Sequence, residues 1–281
     1  YLSALCRLLS LRPSILVVSL WRACAVGLLL KLLRPNTKLV LFLHLPAHVH
    51  LLDQLLTRLT SHFAAQVWAD SQQTLSQRVP KLFASRGRVI SFITARIAPV
   101  TSPTSVRPVF IYWGRIHRQK GLKHAINIFA RVCDHRPDAR FVVIGPDCGE
   151  LLSLQKQVAD LQLTGKVYFR GAMDFHAICS ESQHASFYLQ TSIIEGMSMS
   201  VVEAMQLGLV PVVSPVGEIA IYARNGINSL HVVDADRSVG DILSVLSDKS
   251  RYTSLRAGAI GTWSSSRLYK EDILEACMAV V

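Results

Sequence analysis

Acidic residues are nearly missing from the N-terminal part of the chain. Through residue 105 only two Asp or Glu stand against 12 Lys or Arg, so +10 of the net +11 carried by all 281 residues resides there. Such asymmetry points to an acidic partner: nucleic acid, an anionic membrane surface or a polyanionic acceptor. Nucleic acid is disfavoured, because no nucleic-acid motif is present and the cations are scattered among apolar runs instead of being interleaved with stacking aromatics. Docking to an anionic membrane surface is the better reading, set against general solubility as the bland one.

Paired cysteines are missing as well. Cys6, Cys24, Cys133, Cys148, Cys179 and Cys277 form no Cys-x-x-Cys pair and follow no regular spacing. Neither a zinc site nor a disulfide framework is indicated, and a reducing cytoplasm fits; the basic N-terminal part would then dock on the inner face of the cytoplasmic membrane. His44, His48 and His50 cluster without the accompanying Glu or Asp of a hydrolase site, so no metal is expected there. Uninterrupted apolar runs of spanning length are also absent. Arg22 and Lys31 break the stretch 14–33 and Pro13 and Pro35 bracket it, which predicts a strand followed by a buried helix.

What is present is a pair of carboxylates, Glu195 and Glu203, with seven residues between them. Gly196 follows the first, and an apolar periodic run carries the second into a predicted helix. Residues 187–192 read as a buried strand, while Gly208 closes the helix and residues 210–214 begin another strand. Glu195 therefore falls in the loop beyond a strand's carboxyl end, where open α/β sheets bind ligands. A helix N-terminus attracts phosphate and flanking carboxylates accept hydrogen bonds from sugar hydroxyls, which together describe a nucleotide-sugar site. The stretch from Ser200 to Glu203 also fits a capping box, and the residues alone leave both readings open.

A second motif lies upstream. Residues 109–113 read as a strand ending in the loop 114–121, after which a helix begins near Leu122. Gly114 and Gly121 permit a tight exposed loop, and Arg115 and Lys120 supply two cations suited to a diphosphate. Taken alone, such a loop is equally a solvated connection.

Together the two motifs resemble those of the retaining glycosyltransferases of family 4, which have the GT-B fold. The resemblance runs from about residue 109 to 233. It takes in the Gly-Arg-x-x-x-x-Lys-Gly loop, the strands 141–145 and 167–171, the Glu-x7-Glu stretch, and residues 211–218 followed by Asn225 and Gly226. It implies a donor site formed by Gly114, Arg115 and Lys120, the two cations taking the diphosphate. Glu195 would contact and orient the transferred sugar without acting as nucleophile. Gly196, Met197 and Ser198 would present backbone N–H groups, Glu203 would hold the ribose, and Met173 would lie along the nucleobase. His44, at a strand end, stands where some members have a His facing the transferred sugar; a solvent-exposed strand-end His is the alternative. Two positions depart from the pattern: Met197-Ser198 replaces an aromatic-Gly pair, and Gly217 stands alone where two glycines are common. These departures bear on the identity of the donor sugar.

The architecture implied is α/β, with two Rossmann-like domains facing a cleft. Residues 1–103 would form the acceptor side, 106–260 the donor domain, and 264–281 a helix packing back across the cleft. A first domain of about 100 residues that opens on Tyr1 is short for this fold and reads as incomplete. The activity implied is metal-independent transfer of a sugar, with retention, from a UDP- or GDP-type nucleotide sugar to a hydroxyl of a glycan or lipid-linked acceptor. Such a step belongs to polysaccharide or glycolipid biosynthesis and needs no cofactor beyond the donor. A nucleotide-sugar epimerase of the same fold, a non-catalytic nucleotide-binding subunit, and a basic membrane or nucleic-acid adaptor are the alternatives.

Overall fold

The computed structural model describes residues 1–44, 47–101 and 105–280; the domain boundary expected at residue 103 and the terminal Val281 lie outside them. The chain divides into two compact units, one of Tyr1–Ala95 with Ser266–Val281 and one of Arg96–Ser265.

In the first unit, β1 (Ile15–Ser19), β2 (Lys38–Leu43), β3 (Gln66–Ala69) and β4 (Gly87–Val89) form a parallel sheet in the order β1-β2-β3-β4. Period-two alternation splits its core between two faces. Leu39, Leu41 and Leu43 pack with Val18, Cys24 and Val67 on one side. Val40 and Phe42 pack with Trp68, Ile90 and Ala276 on the other. That second face is covered by the C-terminal helix Tyr269–Met278, whose Asp272 accepts from the Ser91 N–H at 2.8 Å.

The expected strand runs over Ile15–Ser19, and Leu20, at φ +67, turns the chain into the helix Leu20–Leu33. That helix is not buried all round, as its composition suggested. Cys24, Val26, Gly27 and Leu30 are buried, while Leu29, Leu32 and Leu33 are exposed. Gly27 sets the approach, since a Cβ there would stand 2.8 Å from Val18 Cγ1. Among the described residues no helix is long and apolar enough to cross a membrane.

The second unit is a doubly wound parallel sheet of β5 (Val109–Trp113), β6 (Arg140–Ile144), β7 (Val167–Phe169), β8 (Phe187–Gln190), β9 (Val210–Val213) and β10 (Leu230–His231). The strand order is β10-β9-β8-β5-β6-β7. The chain leaves β5 towards β6 and β7, then returns to β8 on the other side of β5 and continues outward to β9. The direction of winding thus reverses between β5 and β8, which opens a crevice at their carboxyl ends. The strands are apolar on both faces, as a sheet covered by helices on both sides requires. Short β4 and β10 were not foreseen, having two or three residues and no periodicity to read.

Candidate functional site

Both sequence motifs meet at this β5/β8 switch point. Beyond β5 the chain turns at Gly114, whose N–H donates to the Ile144 carbonyl at 3.0 Å, and passes Arg115 to Lys120 and Gly121. Gly121 has φ +65 and lies so close to the loop after β8 that a Cβ would sit 1.8 Å from the Thr191 carbonyl oxygen. Thr191 Oγ1 donates to the Gly121 carbonyl at 2.6 Å, and the Ile193 N–H donates to that of Gln119 at 2.9 Å. The two loops are therefore stitched by hydrogen bonds at an approach that only glycine at 121 allows.

Three donors converge on one carboxylate oxygen. Glu195 Oε1 accepts from Lys120 Nζ at 2.6 Å, Ser192 Oγ at 2.7 Å and Gln190 Nε2 at 3.1 Å. Glu195 is 6% exposed and the Lys120 side chain 13%, so this ion pair is shielded from water. Gln190, fully buried at the end of β8, organises the neighbourhood. Its Nε2 also donates to Ser198 Oγ at 2.8 Å, and its Oε1 accepts from Tyr188 Oη at 2.7 Å and Ser200 Oγ at 3.1 Å. Burial holds the Tyr188 phenol well above its ordinary value, so it stays a neutral donor.

The helix Met199–Leu207 starts at Ser198, which has φ 50 and ψ 79, a left-handed conformation unfavourable for a residue with a Cβ. No side chain caps its first turn. The capping box is thereby set aside. Ser200 lies inside the helix with its hydroxyl turned to Gln190, and Glu203 reaches sideways to accept from Trp113 Nε1 at 2.8 Å. Burial pushes the Glu203 carboxyl above its usual range, with the Trp113 hydrogen bond pulling the other way. An uncapped helix N-terminus leaves N–H groups for an anion.

The loop between Glu195 and the helix is supported from below by residues 217–222. A Cβ on Gly217, at φ +56, would stand 2.1 Å from the Glu195 carbonyl oxygen. The Glu218 N–H donates to the Gly196 carbonyl at 3.1 Å, and Tyr222 Oη donates to that of Met197 at 2.7 Å. Gly196, Met197 and Ser198 are thus held in one backbone conformation.

The structure places the other expected residues as follows. Arg115 is exposed on the rim, its carbonyl accepting from Tyr112 Oη at 3.0 Å. Met173, half-buried beyond β7, packs against the core of the second unit. The helix after it, Phe175–Ser182, brings Cys179 within electrostatic reach of Glu203; burial and that charge both push the thiol up. His44 belongs to the first unit, at the end of β2. Its ring is tilted on Phe42 at 4.5 Å and its Nδ1 lies 3.5 Å from Asp70 Oδ2. Among the described residues no three His, Cys, Asp or Glu gather to hold a metal ion. Gln190, Ser192, Trp113 and Tyr222 were not picked out from the sequence. A Gln closing an apolar strand was a signal available for the first; Tyr222 carried none.

Comparison with known proteins bears on this crevice. Residues 97–261, more than half of the chain, match the family described as glycosyl transferases group 1. The chain belongs to that family. Among its relatives, the GDP-mannose:cellobiosyl-diphosphopolyprenol alpha-mannosyltransferase of Xanthomonas campestris is 27% identical over 154 residues, which cover 53% of this chain and 38% of that protein. The 2-deoxystreptamine glucosyltransferase of Streptomyces kanamyceticus is 31% identical over 106 residues, or 38% of this chain and 27% of that one. The match thus spans less than half the length of either relative. Among solved structures, Anabaena HepE in complex with UDP superposes with a TM-score of 0.78 at 19% identity, covering 94% of this chain and 78% of that one. Sucrose-phosphate synthase from Thermosynechococcus elongatus gives a TM-score of 0.78 at 18% identity, covering 95% and 72%. These likenesses establish the fold as GT-B, built from two Rossmann-like units.

Proposed function

We propose that the β5/β8 crevice of this group 1 chain binds a nucleoside-diphosphate sugar, and that the protein transfers the sugar to a hydroxyl with retention at the anomeric carbon. The observation that carries the reading is the convergence of Lys120, Ser192 and Gln190 on Glu195 beside an uncapped helix N-terminus. A buried carboxylate with one oxygen saturated by protein donors is fixed in place, so its remaining capacity is aimed at a ligand hydroxyl. In this scheme Arg115 and the N–H groups of Gly196, Met197 and Ser198 receive the diphosphate. Lys120 bridges phosphate and Glu195, Glu203 takes the ribose, and Met173 flanks the base. Charge developing on the departing diphosphate is stabilised by these preorganised donors, without a metal being required.

The donor would be of the UDP or GDP type: HepE is solved with UDP, and the Xanthomonas relative is named for GDP-mannose. The same relative is named for a diphosphopolyprenol acceptor, which supports a lipid-linked acceptor here and a step in polysaccharide or glycolipid synthesis at an anionic membrane surface. Incubating the protein with a panel of nucleotide sugars, with and without polyprenyl-phosphate-linked acceptors, tests this. Acceptor-dependent release of nucleotide with an α-linked product from an α-linked donor is expected. A rearranged sugar released without acceptor would identify an epimerase instead.

A further inference from the structure

The helix Leu51–Phe63 of the first unit is built inside out. Its fully buried side chains are polar, Asp53, Thr57, Thr60 and Ser61, and of its leucines Leu56 alone packs against the core, while Leu51, Leu52, Leu55, Leu59 and Phe63 are exposed. Leu51 is 83% exposed and Leu55 62%. Residues 51, 55, 59 and 63 follow the four-residue spacing of a single helix face, so the apolar side chains form one continuous stripe. A helix on a water-soluble core normally shows the opposite arrangement. The inward polarity is satisfied locally: Asp53 Oδ2 lies 3.3 Å from Arg78 Nη2, Asp53 Oδ1 accepts from Thr57 Oγ1 at 3.2 Å, and Ser61 Oγ donates to the Thr57 carbonyl at 2.9 Å.

Beside the helix, half-buried Phe83 packs on the core and leads to exposed Leu82. His62 packs edge-on to Phe63 at 5.1 Å and to Phe83 at 5.7 Å, and the Arg86 guanidinium lies over Phe83 at 5.3 Å. Phe83 belongs to the short turn Lys81–Arg86, where Leu82 is as exposed as Leu51. Around this apolar surface stand Arg58, Lys81 and Arg86. The helix and turn contain one acid, Asp53, and it is buried against Arg78.

We infer that this face is a docking surface for an anionic phospholipid bilayer, the helix lying in the plane of the interface with its leucines among the acyl chains. An apolar stripe of this kind beside basic residues is the composition that binds membrane surfaces, and cations on flexible stems reach the headgroups while their methylenes stay apolar. A second copy of the chain fits less well, because self-pairing would oppose Arg58, Lys81 and Arg86 to one another. The inference deepens, and rests on, the proposed lipid-linked acceptor, which lies where this face would hold the protein.

Co-sedimentation of the full chain with phosphatidylcholine vesicles, and with vesicles containing about one third phosphatidylglycerol, reads the docking without any nucleotide. The anionic vesicles are expected to bind on the order of a hundredfold more tightly, a preference that fades as salt shortens the screening length. Leu55→Gln with Leu59→Gln should weaken binding to both vesicle types at least about tenfold, and Arg58→Gln with Lys81→Gln should abolish the anionic preference. Leu55→Trp supplies a direct readout at an exposed position. The emission it adds to that of the parent should shift to the blue and be quenched by brominated lipid when anionic vesicles are added, and far less with neutral vesicles at the same lipid concentration. Equal sedimentation with both vesicle types, or with neither, overturns the inference. So does an added emission that lipid leaves unshifted, or one already blue-shifted without lipid in a chain that sediments as a dimer. Calorimetry of donor binding on the same variants keeps the two readings apart: loss of vesicle binding with unaltered nucleotide affinity touches only the docking face.

Discussion

Lys120 Nζ lies 2.6 Å from Glu195 Oε1, so the cation assigned to the diphosphate and the acid assigned to the sugar form one ion pair. Breaking a shielded pair strands a charge, at a cost of about 3–5 kcal/mol. Lys120→Ala is therefore expected to destabilise the protein by about that amount, and Lys120→Met combined with Glu195→Gln to recover much of it. Denaturant unfolding measures both. Equal stability of Lys120→Ala and the parent would mean that the pair is loosely held and solvated.

Arg115 behaves differently because its side chain is exposed on the rim. Arg115→Ala should leave the unfolding midpoint nearly unchanged while weakening nucleoside diphosphate binding by about 1.5–3 kcal/mol, the worth of a charge-assisted hydrogen bond. Calorimetric titration decides it, and an unaltered affinity would return the loop to the role of a solvated connection.

The pH dependence follows from Glu203. Its folded pKa is raised by burial, so the folded protein retains a proton at a pH where the unfolded chain has lost it. The associated stability is fully present below the ordinary carboxylate value of about 4.3 and is lost as pH rises through the raised one. Glu203→Gln keeps an acceptor for Trp113 Nε1 and removes the titration. The variant should be more stable than the parent at neutral pH, with the gap closing at acid pH, while its affinity for the nucleotide falls. A stability difference independent of pH, measured by thermal unfolding from acid to neutral conditions, would show that burial does not perturb this group.

Gly217 and Gly226 separate strain from site geometry. Both have positive φ, but a Cβ on Gly217 meets the Glu195 carbonyl at 2.1 Å whereas one on Gly226 has nothing within 4 Å. Each Ala substitution should cost about 1 kcal/mol or more of stability from the left-handed conformation. Only Gly217→Ala should also displace the loop and lower turnover of nucleotide sugar, by at least about tenfold given how steeply rates depend on positioning. Equal kinetic effects in the two variants would detach residue 217 from the site.

The sequence was most legible where periodicity and punctuation agree. The strand 109–113, the loop with Gly114 and Gly121, the helix closed off by Gly208 and the strand Val210–Val213 after it all lie where apolar runs and glycines put them. Spacing alone failed where two local solutions compete. Ser200 and Glu203 satisfy the capping pattern, yet the buried amide of Gln190 and the Trp113 N–H, contributed by other strands, take those side chains away from the cap. The helix Leu51–Phe63 depends on a distant partner in the same way: the Asp53–Arg78 pair turns its polar side inward. Such choices are made by residues distant in sequence, and no window of neighbours contains them.

Titration of the full chain with UDP and with GDP, alongside the Arg115→Ala and Glu203→Gln variants, tests most directly whether the β5/β8 crevice is a nucleotide-sugar site. Saturable binding of at least one of the two nucleotides is predicted, weakened at least about tenfold by either substitution while both variants remain folded. Absence of binding to both nucleotides, or affinities that neither substitution changes, would contradict the assignment of the crevice.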